Sequence, residues 1–397
     1  MDRKTYYVGW DKLSLELKAE VVVVGGGAIG LIAAKTLVEN SLETILVEEH
    51  EEIGVPEHCA GLFNIVNFKR LGLPISEKYI ENTVRGAVFH SPTGRKIKLD
   101  AGRRVAIVAS RRSLDSFLAG EFERKGGNLI LGDRVVDATI IDNVVRVKTR
   151  RGLEVKAEML VDAEGMTSIL LRRILNKTTE RGMWIPIIQL WVKDHSLDPQ
   201  YVYLFFEEYL PEFFAYLIPI NDEVGKLGVA SKNNLRIKLN KFIKDRFPGV
   251  KIIRSVSHAV YTGRPLKLDL NSKIIPVGDA AGHVKASTGG GVIMGGLIAR
   301  SICRIIASKL SGACTDINND KEVVKSLTKE LDRIANVMKI LRSLPVLFID
   351  RLFEIIDKSG LVEEFPEKLD MDFQYTSILR FLINPNKIAR LLLASLT

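Results

Sequence analysis

Only three cysteines, Cys59, Cys303 and Cys314, occur among 397 residues. They form an odd, scattered set without a C-x-x-C pair or the Cys/His spacing of a metal site. That excludes a disulfide framework, a zinc site and a cysteine-held iron–sulfur cluster, and makes a reducing cytoplasm the expected compartment. Cys303 and Cys314 are near enough in sequence to pair, though nothing demands it. No uncharged apolar run reaches about eighteen residues, so no membrane-spanning helix is predicted. Residues 1–19 lack the apolar centre of a signal peptide. Blocks of one charge are also missing: 57 Lys and Arg face 48 Asp and Glu, a net charge of +9. Such an excess suits phosphorylated substrates or an anionic lipid surface, but interspersed charges read first as an ordinary solvated face. No nucleic-acid partner is expected.

What is present centres on Val21-Val22-Val23-Val24-Gly25-Gly26-Gly27-Ala28-Ile29-Gly30, followed by Thr44-Ile45-Leu46-Val47 and Glu48. A β-branched run ending in G-x-G-x-x-G reads as a buried strand turning into a helix, with a second strand ending on an acid. This order predicts a dinucleotide site. Gly25 permits the turn, Gly27 lets backbone approach a pyrophosphate, Gly30 lets the helix lie on the strand, and Glu48 receives ribose hydroxyls.

Residues 49–62 form a loop punctuated by Gly54, Pro56 and Gly61, with Cys59 among small and polar neighbours rather than in the apolar run of a core cysteine. Residues 84–99 read as a hairpin turning at Ser91 to Gly94, and 105–109 as a short strand. Arg111 opens a helix with Leu114, Phe117, Leu118 and Phe122 at helical spacing. Residues 128–162 read as short strands returning to the dinucleotide sheet. The aromatic-rich stretch 183–231 predicts a second, largely antiparallel sheet. Its rings read together as the lining of an apolar substrate cavity and singly as ordinary core. At 274–282 strand, glycine and acid recur, so the dinucleotide domain is discontinuous. Gly289-Gly290-Gly291 then opens a helix over about 292–308, where glycines are costly unless backbone must approach a flat ligand. The remainder reads as helices over 323–344, 346–358 and 374–396, the last broken at Asn384-Pro385-Asn386. Its final segment interleaves Leu and Ile with Arg380, Lys387 and Arg390, and either packs on the body of the protein or lies in a membrane interface.

The order G-x-G-x-x-G, Arg111-x-x-Leu-Asp115, Asp162-Ala-Glu-Gly165-Met-Thr-Ser168-x-x-x-Arg172 and Gly278-Asp279-Ala-Ala-Gly282 resembles the FAD-dependent oxidoreductases related to p-hydroxybenzoate hydroxylase, over residues 20–310. Within that group, two segments are similar to the archaeal geranylgeranyl reductase family. Gly54-Val-Pro56-Glu-His58-Cys59-Ala-Gly61 is similar to its P-x-x-C loop beside the flavin, and residues 278–291 to its long flavin-contacting loop. One departure concerns the substrate: that family often carries Y-x-W-x-F-P, whereas this chain has Phe214-Ala215-Tyr216-Leu217-Ile218-Pro219.

Pattern and resemblance together give an α/β architecture. A discontinuous Rossmann-like FAD-binding domain (20–178 and 263–310, with 82–100 joining the other sheet) is followed by an antiparallel-sheet substrate domain (179–262) and a C-terminal helical region (311–397), behind an N-terminal extension (1–19). The resemblance implies FAD held by Gly25, Gly27, Ala28, Ile29, Gly30, Glu48, Glu49, Cys59, Ala60, Arg111, Gly165, Gly278, Asp279, Gly282, Gly290, Gly291 and Val292. The adenosine would sit on Glu48, the ribityl hydroxyls on Asp279, and the ring over 289–291, where helix-start amides favour negative charge on the reduced flavin. The reaction implied is reduction of isoprenoid double bonds in geranylgeranyl precursors of membrane lipids. Hydride would pass from flavin N5 to one carbon and a proton to the other, because an isolated alkene accepts hydride only with protonation. His58 and Cys59 are the candidate proton sources, Lys285 or a phosphate-facing arginine is the candidate for a lipid head group, and His283 is a further candidate functional residue with no assigned role. Two other classes share the FAD motifs: a monooxygenase of an aromatic or polyketide-like substrate, which the cysteine loop argues against, and an electron-transfer flavoprotein to a quinone. No second G-x-G-x-x-G unit exists, so the donor is NAD(P)H bound transiently or a ferredoxin. A cytoplasmic location is expected, with peripheral contact to the membrane face through 374–397.

Overall fold

The computed structural model describes residues 16–312 and 316–396. Most of the expected N-terminal extension, and the Cys303–Cys314 pairing, lie outside the described residues. Two compact units are formed: residues up to Pro56 with Arg112–Arg181 and Gly263–Asp332, and Glu57–Arg111 with Gly182–Thr262 and Arg333 onward.

The first unit is built on the strand Glu16–Val24, in which Val21 to Val24 are at most 4% exposed. It pairs in parallel with Thr44–Val47 on one side and Glu154–Asp162 on the other. Asn128–Ile130 extends the sheet beyond Thr44–Val47, and Ile274–Pro276 joins Glu154–Asp162, both in parallel. Val144–Thr149 and Val135–Ile141 continue it antiparallel. The strand starts earlier than its apolar run. Residues 16–19, expected in the extension, pair in register with Glu154 to Ala157. Their alternation of charged and apolar residues marks a half-exposed strand end, whereas Val21 to Val24 are covered on both faces. Helix Val292–Ser311 packs against helix Ala28–Glu39.

In the second unit seven strands run in the order Lys251–Tyr261, Trp184–Lys193, Val224–Ala230, Ala215–Pro219, Tyr201–Phe205, Gly86–His90 and Lys96–Asp100. All pairings are antiparallel except Tyr201–Phe205 with Gly86–His90. One face is covered by Leu239 and Phe242 of helix Leu235–Arg246. The other packs through Ile185, Ile187, Tyr216 and Ile218 on Val84, Ala106 and Val108, residues of a small sheet made by Leu62–Asn64, Ala106–Ala109 and Ile80–Val84. The division therefore differs from that drawn on the sequence: all of 57–111, rather than 82–100 alone, lies in this unit, and so does the chain from 333. Those last helices are tied to the sheet. Phe353 meets Phe206 edge-on at 5.9 Å, and Asp350 accepts a hydrogen bond from the Thr93 hydroxyl at 2.7 Å. Among the described residues no helix is long and apolar enough to cross a membrane.

Candidate functional site

Gly25, at φ +104°, carries the chain out of its strand, and a Cβ there would lie 2.3 Å from the Ala163 carbonyl oxygen. A Cβ at Gly30 would lie 1.9 Å from the Gly25 carbonyl oxygen, so the helix rests directly on the turn. Gly27 is different. Its φ of −72° and ψ of 173° suit any residue, and a Cβ would meet nothing within 4 Å. It caps helix Ala28–Glu39, which has no side-chain cap and no acid in its first turn. Bare helix-start amides and the positive end of the helix dipole are thus left for an anionic ligand. Ala28 is core and the Ile29 side chain lies beneath Gly278, which leaves their backbone for a ligand.

Glu48 is buried. Its Oε2 accepts the Gly26 amide at 2.5 Å, and its Oε1 accepts the His50 amide at 2.9 Å and contacts His50 Nδ1 at 2.5 Å. The acid expected on a ribose therefore also ties the second strand to the glycine turn, with lone pairs remaining for ligand hydroxyls. Glu49 Oε2 faces Arg134 Nε at 3.4 Å.

The Asp162 carbonyl accepts the Val277 amide at 2.8 Å, which sets the 278–282 motif at the end of strand Glu154–Asp162, where Gly278 meets the Ile29 side chain. The fully buried Asp162 carboxylate accepts the Glu164 amide at 3.0 Å and the Ser168 hydroxyl at 2.7 Å. Burial raises its pKa; burial and the Asp162 charge push Glu164 up to about 7. Gly165, Gly278, Gly282 and Gly289 all take positive φ. The Asp279 carboxylate lies against the triple glycine, 3.2 Å from where a Gly291 Cβ would be. Helix Val292–Ser311 begins at Gly291, again with no side-chain cap and no acid in its first turn. Gly290 lies against the Lys285 stem, and Lys285, 7% exposed, offers little surface to a lipid head group. His283 is sealed, with no partner for either ring nitrogen among the described residues, and burial pushes it down to about 3. A neutral, enclosed imidazole is not a proton source near neutral pH.

Residues 20–172 match the family model for FAD dependent oxidoreductases. A digeranylgeranylglycerophospholipid reductase of Methanococcus vannielii is 27% identical over 312 residues, spanning 75% of this chain and 80% of that relative. The chain is an FAD-dependent oxidoreductase. Its fold is shared with a geranylgeranyl bacteriochlorophyll reductase-like protein of Thermoplasma acidophilum, at TM-score 0.81 and 21% identity over 96% of this chain and 100% of that one. It is shared also with p-nitrophenol 4-monooxygenase of Pseudomonas putida, at TM-score 0.69 and 14% identity over 95% and 98%. The residues of the first unit fit FAD: two uncapped helix starts, unfilled space at Gly27, and acids at Glu48 and Asp279 for hydroxyls.

Cys59, Ala60 and Arg111 belong to the second unit. His58 is exposed and Cys59 is half-buried with a free thiol. Cys303 is core, its thiol raised by burial. The Arg111 amide donates to Glu57 Oε1 at 2.8 Å. Of three neighbours of this loop, Tyr216 belongs to the segment compared with Y-x-W-x-F-P, whereas His258 and Lys226 were not singled out from the sequence. The His258 ring lies 5.4 Å from that of His58, and burial, then the His58 charge, push it down to about 3. Tyr216 donates to Gln189 Oε1 at 2.8 Å, its phenol raised first by burial and then by Cys59. Lys226 is wholly buried within the apolar strand Val224–Ala230. A lone lysine inside such a run was the legible signal.

Proposed function

We propose that this oxidoreductase saturates double bonds of an isoprenoid chain carried by a membrane-lipid precursor. The observation that carries the reading is the cysteine loop itself, a free, half-buried Cys59 thiol backed by an apolar core. Phe213, Tyr216 and Ile218 are buried there with Ile185, Ile187 and Val202, and Ala60 packs against them. Relatives named digeranylgeranylglycerophospholipid reductase, at 25% to 29% identity, support the same substrate class.

Held by the first unit and reduced, the flavin would supply a hydride for one alkene carbon. The chain's own part is to deliver a proton to the other carbon, from Cys59 or His58, and to exclude water while it does so. Burial keeps His258 neutral and the Tyr216 phenol un-ionised, so neither adds a formal charge beside the loop. Electrons enter from NAD(P)H or a ferredoxin.

The test is anaerobic. Reduced protein mixed with a geranylgeranyl phospholipid precursor regains its yellow colour, and the product gains two hydrogens per double bond by mass. Reoxidation that requires oxygen, with an oxygen atom added to an aromatic substrate, would establish a monooxygenase instead.

A further inference from the structure

Lysine is almost never fully buried unless paired, because removing its charge from water is costly. Lys226 is 0% exposed, and lies in register opposite Trp191 on one neighbouring strand and Ile218 on the other. Its Nζ donates to Glu81 Oε2 at 2.6 Å, to the Ala109 carbonyl at 3.2 Å and to the Ala60 carbonyl at 3.4 Å. A second carboxylate, Glu57 Oε1, lies 3.9 Å away. Glu57 is itself 8% exposed, and its Oε2 accepts from Arg254 Nη2 at 2.6 Å. Arg254 lies over the Trp191 ring at 3.5 Å. Two cations and two carboxylates thus form a balanced cluster reaching out from the large sheet.

The cluster grips one short segment from both ends. Glu57 is held through its carboxylate by Arg254 and the Arg111 amide, and Ala60 through its carbonyl by Lys226. Gly61 is locked next: its carbonyl accepts the Ala109 amide at 2.8 Å, and a Cβ there would lie 1.9 Å from the Ala109 carbonyl oxygen. Between these anchors stand only His58 and Cys59. Burial works to raise the Glu57 carboxyl, and the Arg254 hydrogen bond with the Lys226 charge overcomes it, so the group stays ionised and below its ordinary value.

We propose that Lys226 and Glu57 are positioning residues that fix the backbone carrying His58 and Cys59. Their importance for turnover rests on the reading under Proposed function; their hold on Cys59 does not. The cluster lies in the second unit, whereas the glycine turn, Glu48 and Asp279 lie in the first.

The test compares wild-type holoenzyme with the double variant Lys226→Met/Glu81→Leu, which replaces buried Lys226 and its part-buried partner by apolar residues, so that no unpaired charge is left between them, while removing the Ala60 anchor. Alkylation of Cys59 by iodoacetamide, followed on its own peptide by mass spectrometry, is expected to change about tenfold, since thiol reactivity follows its immediate surroundings. Visible absorbance of bound FAD is expected to be unchanged. With an isoprenoid substrate, kcat is expected to fall roughly 10- to 100-fold while KM moves by less than about threefold, as for a misplaced reacting group. Glu57→Gln, which keeps the side chain's shape, is the second variant and is expected to shift Cys59 alkylation in the same direction. Wild-type Cys59 reactivity in either folded, yellow variant would overturn the proposal whatever happens to turnover. Lack of isoprenoid turnover by the wild type would overturn only the reaction reading, because the alkylation measurement does not depend on it.

Discussion

Two glycines of the first motif do different work, and the difference is measurable. At Gly30 an added methyl would strike the Gly25 carbonyl at 1.9 Å, whereas at Gly27 it would meet nothing of the protein within 4 Å. Gly30→Ala is therefore expected to cost about 1–3 kcal/mol of stability, as for other overpacked sites. Gly27→Ala is expected to leave the FAD-free protein within about 0.5 kcal/mol of wild type, yet to weaken FAD binding roughly tenfold or more because the methyl occupies ligand space. Thermal melts with and without FAD, together with flavin titration, separate the two. Equal effects of both variants on the FAD-free protein would mean that Gly27 is a folding residue. The spacing alone distinguished these positions by analogy; the bare Gly27 backbone and the Gly30 contact are the physical reason. Glu48 was legible as an acid at a strand end, but its bonds to Gly26 and His50 depend on where the turn curls and had no sequence signal.

Strands covered on both faces were easiest to read, because an unbroken apolar run has no alternative partner than core. The edge strand Lys251–Tyr261 was not anticipated: most of it is exposed, with Ile252 and Ile253 at 57% and 58%, so neither a buried run nor a clean alternation marks it. The C-terminal helices were legible from their periodicity, though not their membership of the second unit. Twelve large apolar residues between Val337 and Leu396 stay exposed, among them Ile383, Leu392, Leu393 and Leu396. Ile388, Leu392 and Leu396 recur every fourth residue on one side of helix Pro385–Leu396. Residues 374–396 carry Arg380, Lys387 and Arg390 and no acid. Lys387 and Arg390 are paired with Glu364, and we propose that this face lies on an anionic membrane surface, apolar side inward, with Arg380 toward the head groups. Sedimentation with phosphatidylglycerol vesicles is expected to carry down the full chain and to fail once 374–397 is deleted or salt is raised to about 0.5 M, where charge attraction is screened. Binding that survives the deletion would remove the idea.

For the molecule as a whole, buried Asp162 and half-buried Glu164 beside it predict the direction in which stability changes with pH. Glu164 titrates near 4.5 when unfolded and is pushed up to about 7 when folded, by burial and by Asp162. A raised carboxyl pKa favours folding fully below the unfolded value, and that contribution is lost as pH rises through the folded one. Glu164→Gln, which retains an acceptor for the Leu170 amide, is expected to gain about 3 kcal/mol on wild type between pH 4.5 and pH 8. Urea denaturation at the two pH values measures it; a pH-independent difference would show that Glu164 carries no raised pKa. By itself the sequence determined the glycine turn after the first strand, the split of the dinucleotide sheet across distant segments and the existence of a second, antiparallel sheet, because periodicity and glycine spacing are local constraints. Tertiary structure alone decided that all of 57–111 joins the second unit and that Lys226, Glu57 and Arg254 converge on the cysteine loop. Those contacts link residues more than a hundred positions apart, and no local pattern records which distant charge will meet which.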